Sequence, residues 1–306
     1  MTGLLLAAAL AAIATPLPAA TGSTHAARPA YAPTRFSVTV EGRGPDVIFI
    51  PGLSSTREVW AASAARLKAH YRVHLVQLRG FGEPAGANAS GPVLQPFVDD
   101  LAAYIRANRL HKPAIIGHSM GGLAALMIGV QQPALPGRLM IVDSFPFIGP
   151  VFGAPDLAAI TPRATQLKAM ILAQAASTKP DFAPADCLAS LPVPATPAGN
   201  MSNSGQGACI MRHGTAASDL RVVGQAMYDD MTTDVRPDLG NIIAPLTMLY
   251  PQDDRLLTAA AADRLYADAY AGAKGAKLVR IPGSYHFIMQ DQPAAFAAAL
   301  DAFLKR

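Results

Sequence analysis

The sequence predicts an α/β fold: a mostly parallel twisted sheet with helices on both faces, plus a helical cap or lid insertion. From about residue 36, short apolar runs alternate with amphipathic stretches of helical spacing, which favours an open sheet covered by helices on both sides. The runs are apolar almost throughout, as is typical of strands buried on both faces of a parallel sheet. The alternation stops between residues 144 and 245, which predicts the insertion.

The near-continuous apolar runs are predicted as strands. They are Phe36–Val40, Asp46–Ile50, Arg72–Leu78, Ala114–Gly117, Arg138–Val142, Leu246–Tyr250 and Lys277–Ile281. The amphipathic stretches between and after these runs are predicted as helices. They are Glu58–His70, Pro96–Leu110, Met120–Gln132, Thr258–Tyr270 and Pro293–Leu304.

The segment in which the alternation stops is predicted to form the cap. It holds two helical stretches, Pro162–Ser177 and Thr215–Met231, and a piece dense in Pro, Ser, Gly and Asn at 179–207. That piece is too long for an ordinary connection. Ligands of open α/β sheets bind at the carboxyl ends of the strands, so a lid rising from that edge would cover such a site.

The first thirty residues differ from the rest of the chain. Gly3 to Ala14 is almost entirely Leu, Ala and Ile, and prolines and small residues follow. This pattern predicts a secretory signal peptide and a secreted or periplasmic protein, although no Lys or Arg precedes the apolar run. The run is too short, and too soon interrupted by proline, for a stable membrane span. The expected organisation is a leader at 1–30, a core at 31–144 and 241–306, and a cap at 145–240.

The composition indicates a globular protein that binds no nucleic acid. The 306 residues are 51% hydrophobic and 15% charged, with a formal net charge of +4. The basic excess is thinly spread, without a Lys/Arg cluster or aromatic residues interleaved among basic ones. The two cysteines, Cys187 and Cys209, leave two interpretations open: small buried hydrophobes, or, in an exported protein, a disulfide.

A candidate nucleophile lies in the stretch "AIIGHSMGG", whose residues Gly117 to Gly121 have the form Gly-x-Ser-x-Gly of a nucleophile elbow. Ser119 follows a buried-type strand and precedes a helix, which is the context that this turn requires. The alternative is a small polar residue at a strand–helix junction. Because a serine hydroxyl is a poor nucleophile by itself, the catalytic interpretation needs a histidine base and an orienting acid elsewhere.

Of the seven histidines, His286 is the expected base. It lies just after the last predicted strand and before the last helix, at the strand end where a base facing Ser119 belongs. His118 lies inside the elbow and is interpreted as structural. His213 lies in the cap, where either a substrate contact or a solvated position is open.

Three aspartates are candidates for the acid that orients His286. An acid beside the imidazole fixes its tautomer and stabilises the imidazolium. Asp253 and Asp254 follow the predicted strand Leu246–Tyr250, and Asp143 ends the strand after the elbow. Each also has a structural interpretation, because aspartates at strand ends often accept backbone hydrogen bonds. The residues alone leave the choice open.

By these motifs the chain resembles the α/β-hydrolase family, over roughly Val47 to Leu304 apart from the cap. "LRGFG" resembles the family's Arg-Gly-x-Gly turn, with Gln77 where an aspartate is usual, and "GSYHFIMQDQP" resembles its histidine loop. The family's chain order is nucleophile, acid, base. The resemblance therefore implies the catalytic residues Ser119, Asp254 and His286.

The stretch "FIPGLSSTREVW" resembles the family's oxyanion loop, with Pro51-Gly52 in place of the usual His-Gly. The resemblance implies the backbone amides of Leu53 and Met120 as the two donors to an oxyanion. Because the backbone supplies both donors, the replacement leaves the hole available. Losing one such donor typically lowers turnover by about 10²–10³.

The resemblance implies a serine hydrolase that cleaves a carboxylic ester through an acyl-enzyme, without a cofactor. The sequence has no His-Glu-x-x-His or Cys-x-x-Cys spacing for a metal. Amidases, lactonases and acyltransferases would use the same machinery, and a ligand-binding receptor or another non-hydrolytic member of the fold is the alternative from another class. Five cap residues either line an apolar substrate pocket or pack the cap's own core. They are Phe145, Phe147, Phe152, Met170 and Met227.

Overall fold

The computed structural model describes residues 31–183, Cys187 and residues 201–305. The predicted signal peptide and most of the Pro- and Ser-rich piece of the cap lie outside the described residues. None of the helices in the described part combines the length and apolarity that a membrane crossing needs. The same residues contain no group of three or more His, Cys, Asp or Glu side chains arranged to hold a metal ion.

A seven-stranded sheet forms the centre of the protein. Its strands are β1 (Phe36–Gly42), β2 (Asp46–Ile50), β3 (Arg72–Leu78), β4 (Ala114–His118), β5 (Arg138–Val142), β6 (Leu246–Gln252) and β7 (Lys277–Pro282). Across the sheet the order is β1-β3-β2-β4-β5-β6-β7. Strand β1 runs antiparallel to β3, and every other neighbouring pair is parallel. The mostly parallel sheet predicted from the sequence is confirmed.

Helices cover both faces of this sheet. They are α1 (Ala61–Leu67), α2 (Leu94–Ala107), α3 (Met120–Gln131), α4 (Leu157–Ala175), α5 (Gly205–Ala216), α6 (Leu220–Met231), α7 (Ala259–Ala269), α8 (Ile288–Asp291) and α9 (Pro293–Leu304). Helices α4, α5 and α6 all fall between β5 and β6, within the stretch 145–240 that we call the insertion. Helices α1, α2, α3, α7 and α9 follow the predicted alternation, with α1 preceded by a 3₁₀ turn at Arg57–Trp60, and the short α8 was not predicted.

Burial on both faces explains why successive residues of the central strands are apolar. In β2, Ile48 and Ile50 pack into the cluster that includes side chains of α2 and α3. Their neighbours Val47 and Phe49 point to the opposite face and pack into the cluster around Trp60 and α9. Alternate residues of a strand face opposite sides of a sheet, so a strand covered on both sides needs apolar residues at every position.

The insertion differs from the sequence prediction at all three helices, and α4 begins at Leu157, five residues before the predicted start. The helix predicted at Thr215–Met231 is divided between α5 and α6 by a break at Asp219. The carboxylate of Asp219 accepts a hydrogen bond from Arg221 N at 2.9 Å and so caps α6. The Asp219 N–H itself donates to Gly80 O at 2.8 Å, which ties the break to the core. Helix α5 begins inside the glycine-rich stretch, where composition alone indicates a loop.

A disulfide joins Cys187 to Cys209 of α5, with the two Cα atoms 5.5 Å apart. Of the two interpretations that the sequence leaves open, the structure has the disulfide. Cys187 is buried and packs with Ile210 in the apolar cluster around Trp60. The two half-cystines are 22 residues apart, and closing a loop of that size stabilises a folded chain by roughly 3 kcal/mol in the loop-entropy description.

Candidate active site

Ser119 lies on the sharp turn between β4 and α3. Its φ of 54° and ψ of −128° fall in a region that residues with side chains rarely occupy, and such strain persists only where the surroundings impose it. The Ser119 N–H donates to Val142 O at 3.0 Å, and the Ser119 carbonyl accepts from Gly122 N at 2.7 Å. The strand–turn–helix context predicted for Ser119 is the one that the structure has.

The glycines of the elbow are required by the close approach of three chain segments. A Cβ added at Gly117 would lie 2.1 Å from Gly121 O, and one added at Gly121 would lie 2.5 Å from Ile50 O. Both distances are far below van der Waals contact. The Gly-x-Ser-x-Gly pattern therefore has a steric cause: it lets β2, β4 and α3 meet around the strained serine.

The predicted oxyanion loop lies against the nucleophile. A Cβ added at Gly52 would lie 2.8 Å from Ser119 Cβ and 3.2 Å from His118 O, so the loop after β2 passes directly beside Ser119. Met120 is the first residue of α3, where a backbone N–H has no acceptor within the helix. Among the described backbone carbonyls, none accepts from the N–H of Leu53 or Met120. Both predicted amides therefore remain available next to Ser119.

His286 lies in the loop between β7 and α8, beside the elbow. Its ring centroid is 4.4 Å from that of His118, the residue that immediately precedes Ser119. The Nδ1–H of His286 donates to Asp143 Oδ2 at 2.6 Å, and the side chain is 19% exposed. Because Asp143 engages Nδ1, Nε2 is the ring nitrogen left to exchange a proton.

Asp143 follows β5 and is held from two further sides. Its φ is 42°, and its N–H donates to Leu249 O at 2.8 Å. Its Oδ1 accepts a hydrogen bond from the hydroxyl of Tyr266. Burial, and then the negative charge of Asp143, raise the pKa of Tyr266 well above its usual value, so this hydroxyl stays a donor at any physiological pH.

The expectation that Asp254 orients His286 is wrong in the structure, because Asp143 occupies that position. Asp254 is exposed and accepts a hydrogen bond from Gln252 Nε2 at 2.8 Å. Asp253 is bound by Arg255, which donates its backbone N–H and two guanidinium N–H groups at 2.7–3.0 Å. Those donors lower the pKa of Asp253 and commit its carboxylate to a local turn.

Two further histidines have structural contacts. His118 is buried, and its Nε2–H donates to the backbone carbonyl of His286 at 2.9 Å. Burial first, and then the nearby charge of His286, lower the pKa of His118 well below its usual value. The ring therefore stays neutral and serves as a hydrogen-bond donor to the backbone of His286. In the insertion, both ring nitrogens of His213 are engaged, by Glu58 and by Ala183 O.

Sequence reasoning did not single out Asp230, near the end of α6. Burial, and then the charge of Asp229, raise the pKa of this carboxyl from 3.8 to about 7, while the positive charge of His286 acts in the opposite direction. The side chain of Asp230 is half-buried. A lone aspartate on a helix carries no motif that would have identified it.

Most of the five apolar residues predicted for the cap pack in a cluster within the insertion. Phe147, Phe152 and Met227 belong to a small cluster with Ile160, Ala164 and Met231. Phe145 instead stacks on Tyr266, with ring centroids 4.8 Å apart. Met170 is 55% exposed. Three of the five side chains therefore serve the insertion's own core.

Fold and site together define a class: proteins with an open α/β sheet, a strained serine after a central strand and an acid-bound histidine after the last strand. A sequence profile described as the alpha/beta hydrolase family matches residues 47–299. The chain therefore belongs to the alpha/beta hydrolase family.

The known relatives show which proteins this chain is similar to. Pimeloyl-[acyl-carrier protein] methyl ester esterase of Aeromonas salmonicida is 37% identical over 113 residues, which are 36% of this chain and 43% of that protein. The chain thus spans about two fifths of the length of that curated relative.

Two solved structures share the fold over most of their length. A carboxylesterase of Nitrososphaera gargenis has a TM-score of 0.68 at 18% identity, covering 88% of this chain and 94% of its own. An enol-lactonase of Burkholderia xenovorans has a TM-score of 0.65 at 17% identity, covering 89% and 96%. Identities this low establish the fold alone.

Proposed function

We propose that this protein is a serine hydrolase that cleaves a carboxylic ester with the triad Ser119, His286 and Asp143. The observation that carries the proposal is the hydrogen bond from His286 Nδ1 to Asp143, made beside a serine on a strained turn. That bond fixes the tautomer in which Nε2 can accept the proton of a serine hydroxyl. The similarity to a methyl ester esterase supports the ester as substrate class.

The proposed mechanism has two halves. In the first, Ser119 Oγ attacks the ester carbonyl while His286 Nε2 takes its proton, and the Leu53 and Met120 amides stabilise the oxyanion. His286 then gives the proton to the departing alcohol, which leaves an acyl group on Ser119. In the second, water attacks that acyl group with His286 again as base, releasing the acid and restoring the serine. No cofactor enters either half.

The substrate is proposed to be a small ester, with an apolar acyl or alkyl part beside the insertion. What supports this choice is the half-buried aromatic ring of Phe145, which stacks on Tyr266 beside Asp143, together with the ester substrate that the relative's name states. The carboxylate of Asp143 beside His286 makes a further negative charge on the substrate unfavourable here. We therefore expect uncharged esters to be preferred over those that carry a free carboxylate.

The test is steady-state hydrolysis of a panel of p-nitrophenyl esters, a lactone and an anilide, with Ser119→Ala as the matched control. We expect saturable turnover of at least one short or medium acyl ester, reduced about 10³-fold or more in the variant. A single stoichiometric release of product, without turnover, would instead favour a ligand-binding receptor. Faster cleavage of the anilide or lactone would move the protein to those reaction classes.

We also propose that the chain works outside the cytosol. The disulfide between Cys187 and Cys209 supports this, since disulfides persist in oxidising compartments, and the apolar first residues support it independently. Expression of the full chain with a C-terminal tag should give a shortened protein in the periplasmic or secreted fraction. Recovery of the unprocessed chain from the cytosol would contradict the proposal.

A further inference from the structure

Asp291, the last residue of α8, is a largely buried carboxylate that the proposed mechanism does not use. It lies five residues after His286 and accepts hydrogen bonds with both of its oxygens. Oδ2 accepts from Tyr285 N at 2.8 Å. Oδ1 accepts from Asn203 N at 3.1 Å and from the hydroxyl of Ser202. Burial raises the pKa of Asp291, and these donors oppose the shift.

The donors of Asp291 come from two distant parts of the chain. Tyr285 belongs to the loop that carries His286, whereas Ser202 and Asn203 belong to residues 201–204, which lead into α5 of the insertion. We call residues 201–204 the strap. Two further bonds connect the strap to the histidine loop: Asn203 Nδ2 donates to a loop carbonyl at 2.8 Å, and a loop N–H donates to Met201 O at 3.2 Å.

These contacts fix the backbone of His286 from three sides. The N–H of Tyr285, before it, is held by Asp291. The carbonyl of His286 itself is held by the buried ring of His118. The N–H of Phe287, after it, is held by the strap. Because the backbone sets the direction from which a side chain leaves, the strap and Asp291, together with His118, constrain the position of the imidazole.

We propose that Asp291 is a positioning residue that couples the strap to His286, so that the docking of the strap and the orientation of the catalytic base depend on each other. The inference rests on the proposed function, because it assigns His286 the role of base. Asp291 does not touch the reacting atoms. It acts through the Tyr285 amide on one side and through Ser202 and Asn203 on the other, and displacement of a base by about 1 Å can lower a rate about 10²-fold.

Variants of Asp291 and Ser202 can break the hydrogen bonds that join the histidine loop to the strap. In Asp291→Asn, one oxygen becomes an NH₂ group that cannot accept a hydrogen bond, so either the loop or the strap loses its partner. Asp291→Glu keeps two accepting oxygens and should restore part of the function. Ser202→Ala removes the strap hydroxyl that donates to Asp291, together with its local bond from Ser204 N. Asp301→Asn is the matched control, because Asp301 is a partly exposed carboxylate on α9 that pairs with Arg66.

Two measurements on the intact chain test the coupling. The first is the second-order rate of labelling by a fluorophosphonate across pH 5–9, together with kcat and KM. We expect Asp291→Asn to lower the labelling rate and kcat by about tenfold to a hundredfold, with KM little changed. Ser202→Ala should lower them by about threefold, Asp291→Glu should recover part of the loss, and Asp301→Asn should leave both unchanged.

The second measurement is hydrogen–deuterium exchange, which needs no activity. Asp291→Asn and Ser202→Ala should both speed exchange in the histidine loop and in the strap, whereas Asp301→Asn should not. Wild-type labelling rates in a folded Asp291→Asn, or faster exchange in only one of the two segments, would overturn the inference. If Asp291→Asn does not fold, Ser202→Ala decides by the same criteria. If the two variants speed exchange in both segments but the wild-type protein takes up no fluorophosphonate, the proposed function is contradicted and the coupling is not.

Discussion

The loops after β5 and β6 offer the same residue type at the same edge of the sheet, yet only one contacts the base. Both follow neighbouring parallel strands, and both carry aspartates. Asp143, after β5, bonds His286 Nδ1 and receives the Tyr266 hydroxyl. Asp253 and Asp254, after β6, bond Arg255 and Gln252 instead.

The two loops differ in the donors that hold each carboxylate. Arg255 lies two residues after Asp253 and wraps back onto it with three N–H groups. The residues after Asp143, Ser144 and Phe145, include no cation, and its partners are a neutral phenol and the histidine. Of Asp143 and Asp253, the carboxylate without a neighbouring cation is the one that bonds the base.

The largest effect expected from this comparison is the loss of activity in Asp143→Asn. An amide at this position would hold His286 in the wrong tautomer, and such a change typically lowers kcat by about 10⁴-fold. Asp254→Asn, at the exposed aspartate, should keep kcat within about twofold of wild type. Steady-state ester hydrolysis by the two variants measures the contrast, and the reverse order would return the acid to the loop after β6.

An intermediate effect is expected when the second partner of Asp143 is removed. Tyr266→Phe deletes the hydroxyl that bonds Oδ1, and a hydrogen bond to a charged group is worth about 1.5–3 kcal/mol. Asp143 keeps its bond to His286, so we expect kcat to fall by about tenfold. Tyr270→Phe is the control, because the Tyr270 hydroxyl donates to the backbone carbonyl of Ser144 at 2.8 Å. Equal kcat losses in the two variants would contradict a specific role for Tyr266.

The last expected effect concerns stability and a fourth aspartate, Asp230, whose pKa is raised from 3.8 to about 7. A carboxyl with a raised pKa favours the folded state fully below pH 3.8, and this advantage is lost as the pH rises towards 7. In Asp230→Asn the carboxyl is replaced by an amide that does not ionise, so the variant does not lose stability in this way as the pH rises. Its gain in unfolding free energy should therefore grow between pH 5 and pH 8, by roughly 1–2 kcal/mol after allowance for partial exposure.

Urea unfolding at the two pH values measures this difference. A comparison variant is Asp229→Asn, which removes both the charge that raises the pKa of Asp230 and the carboxylate that bonds the N–H groups of Val93 and Leu94 at the start of α2. That variant should be destabilised at both pH values through the loss of a helix cap. A gain in Asp230→Asn that is the same at pH 5 and pH 8 would show that this carboxyl does not titrate between them.

Much of the core could be predicted from the sequence because its cause is local. Strands such as β2 and β4 are buried on both faces, so their apolar runs identify them. The elbow is identified by glycines that no other residue can replace. The position of His286 follows from its place after the last parallel strand.

The remaining features depend on contacts between distant segments. The choice of Asp143 over Asp254 rests on a backbone φ of 42° and on Tyr266, which lies 123 residues further along the chain. Helix α5 was missed because its glycines favour a loop, although Ser204 accepts from Gly207 N as a helix cap. Asp291 was part of a quoted motif, but its partners in the strap are about 90 residues earlier and carry no pattern of their own.

Covalent labelling of the purified protein with a fluorophosphonate, followed by peptide mapping, shows whether Ser119 is an activated nucleophile. We predict stoichiometric labelling at Ser119 that is abolished in Ser119→Ala. In His286→Ala the rate of labelling should fall by at least about 10³-fold. A folded wild-type protein that takes up no label, or that is labelled elsewhere, would contradict the assignment of Ser119 and His286 as an activated nucleophile and its base.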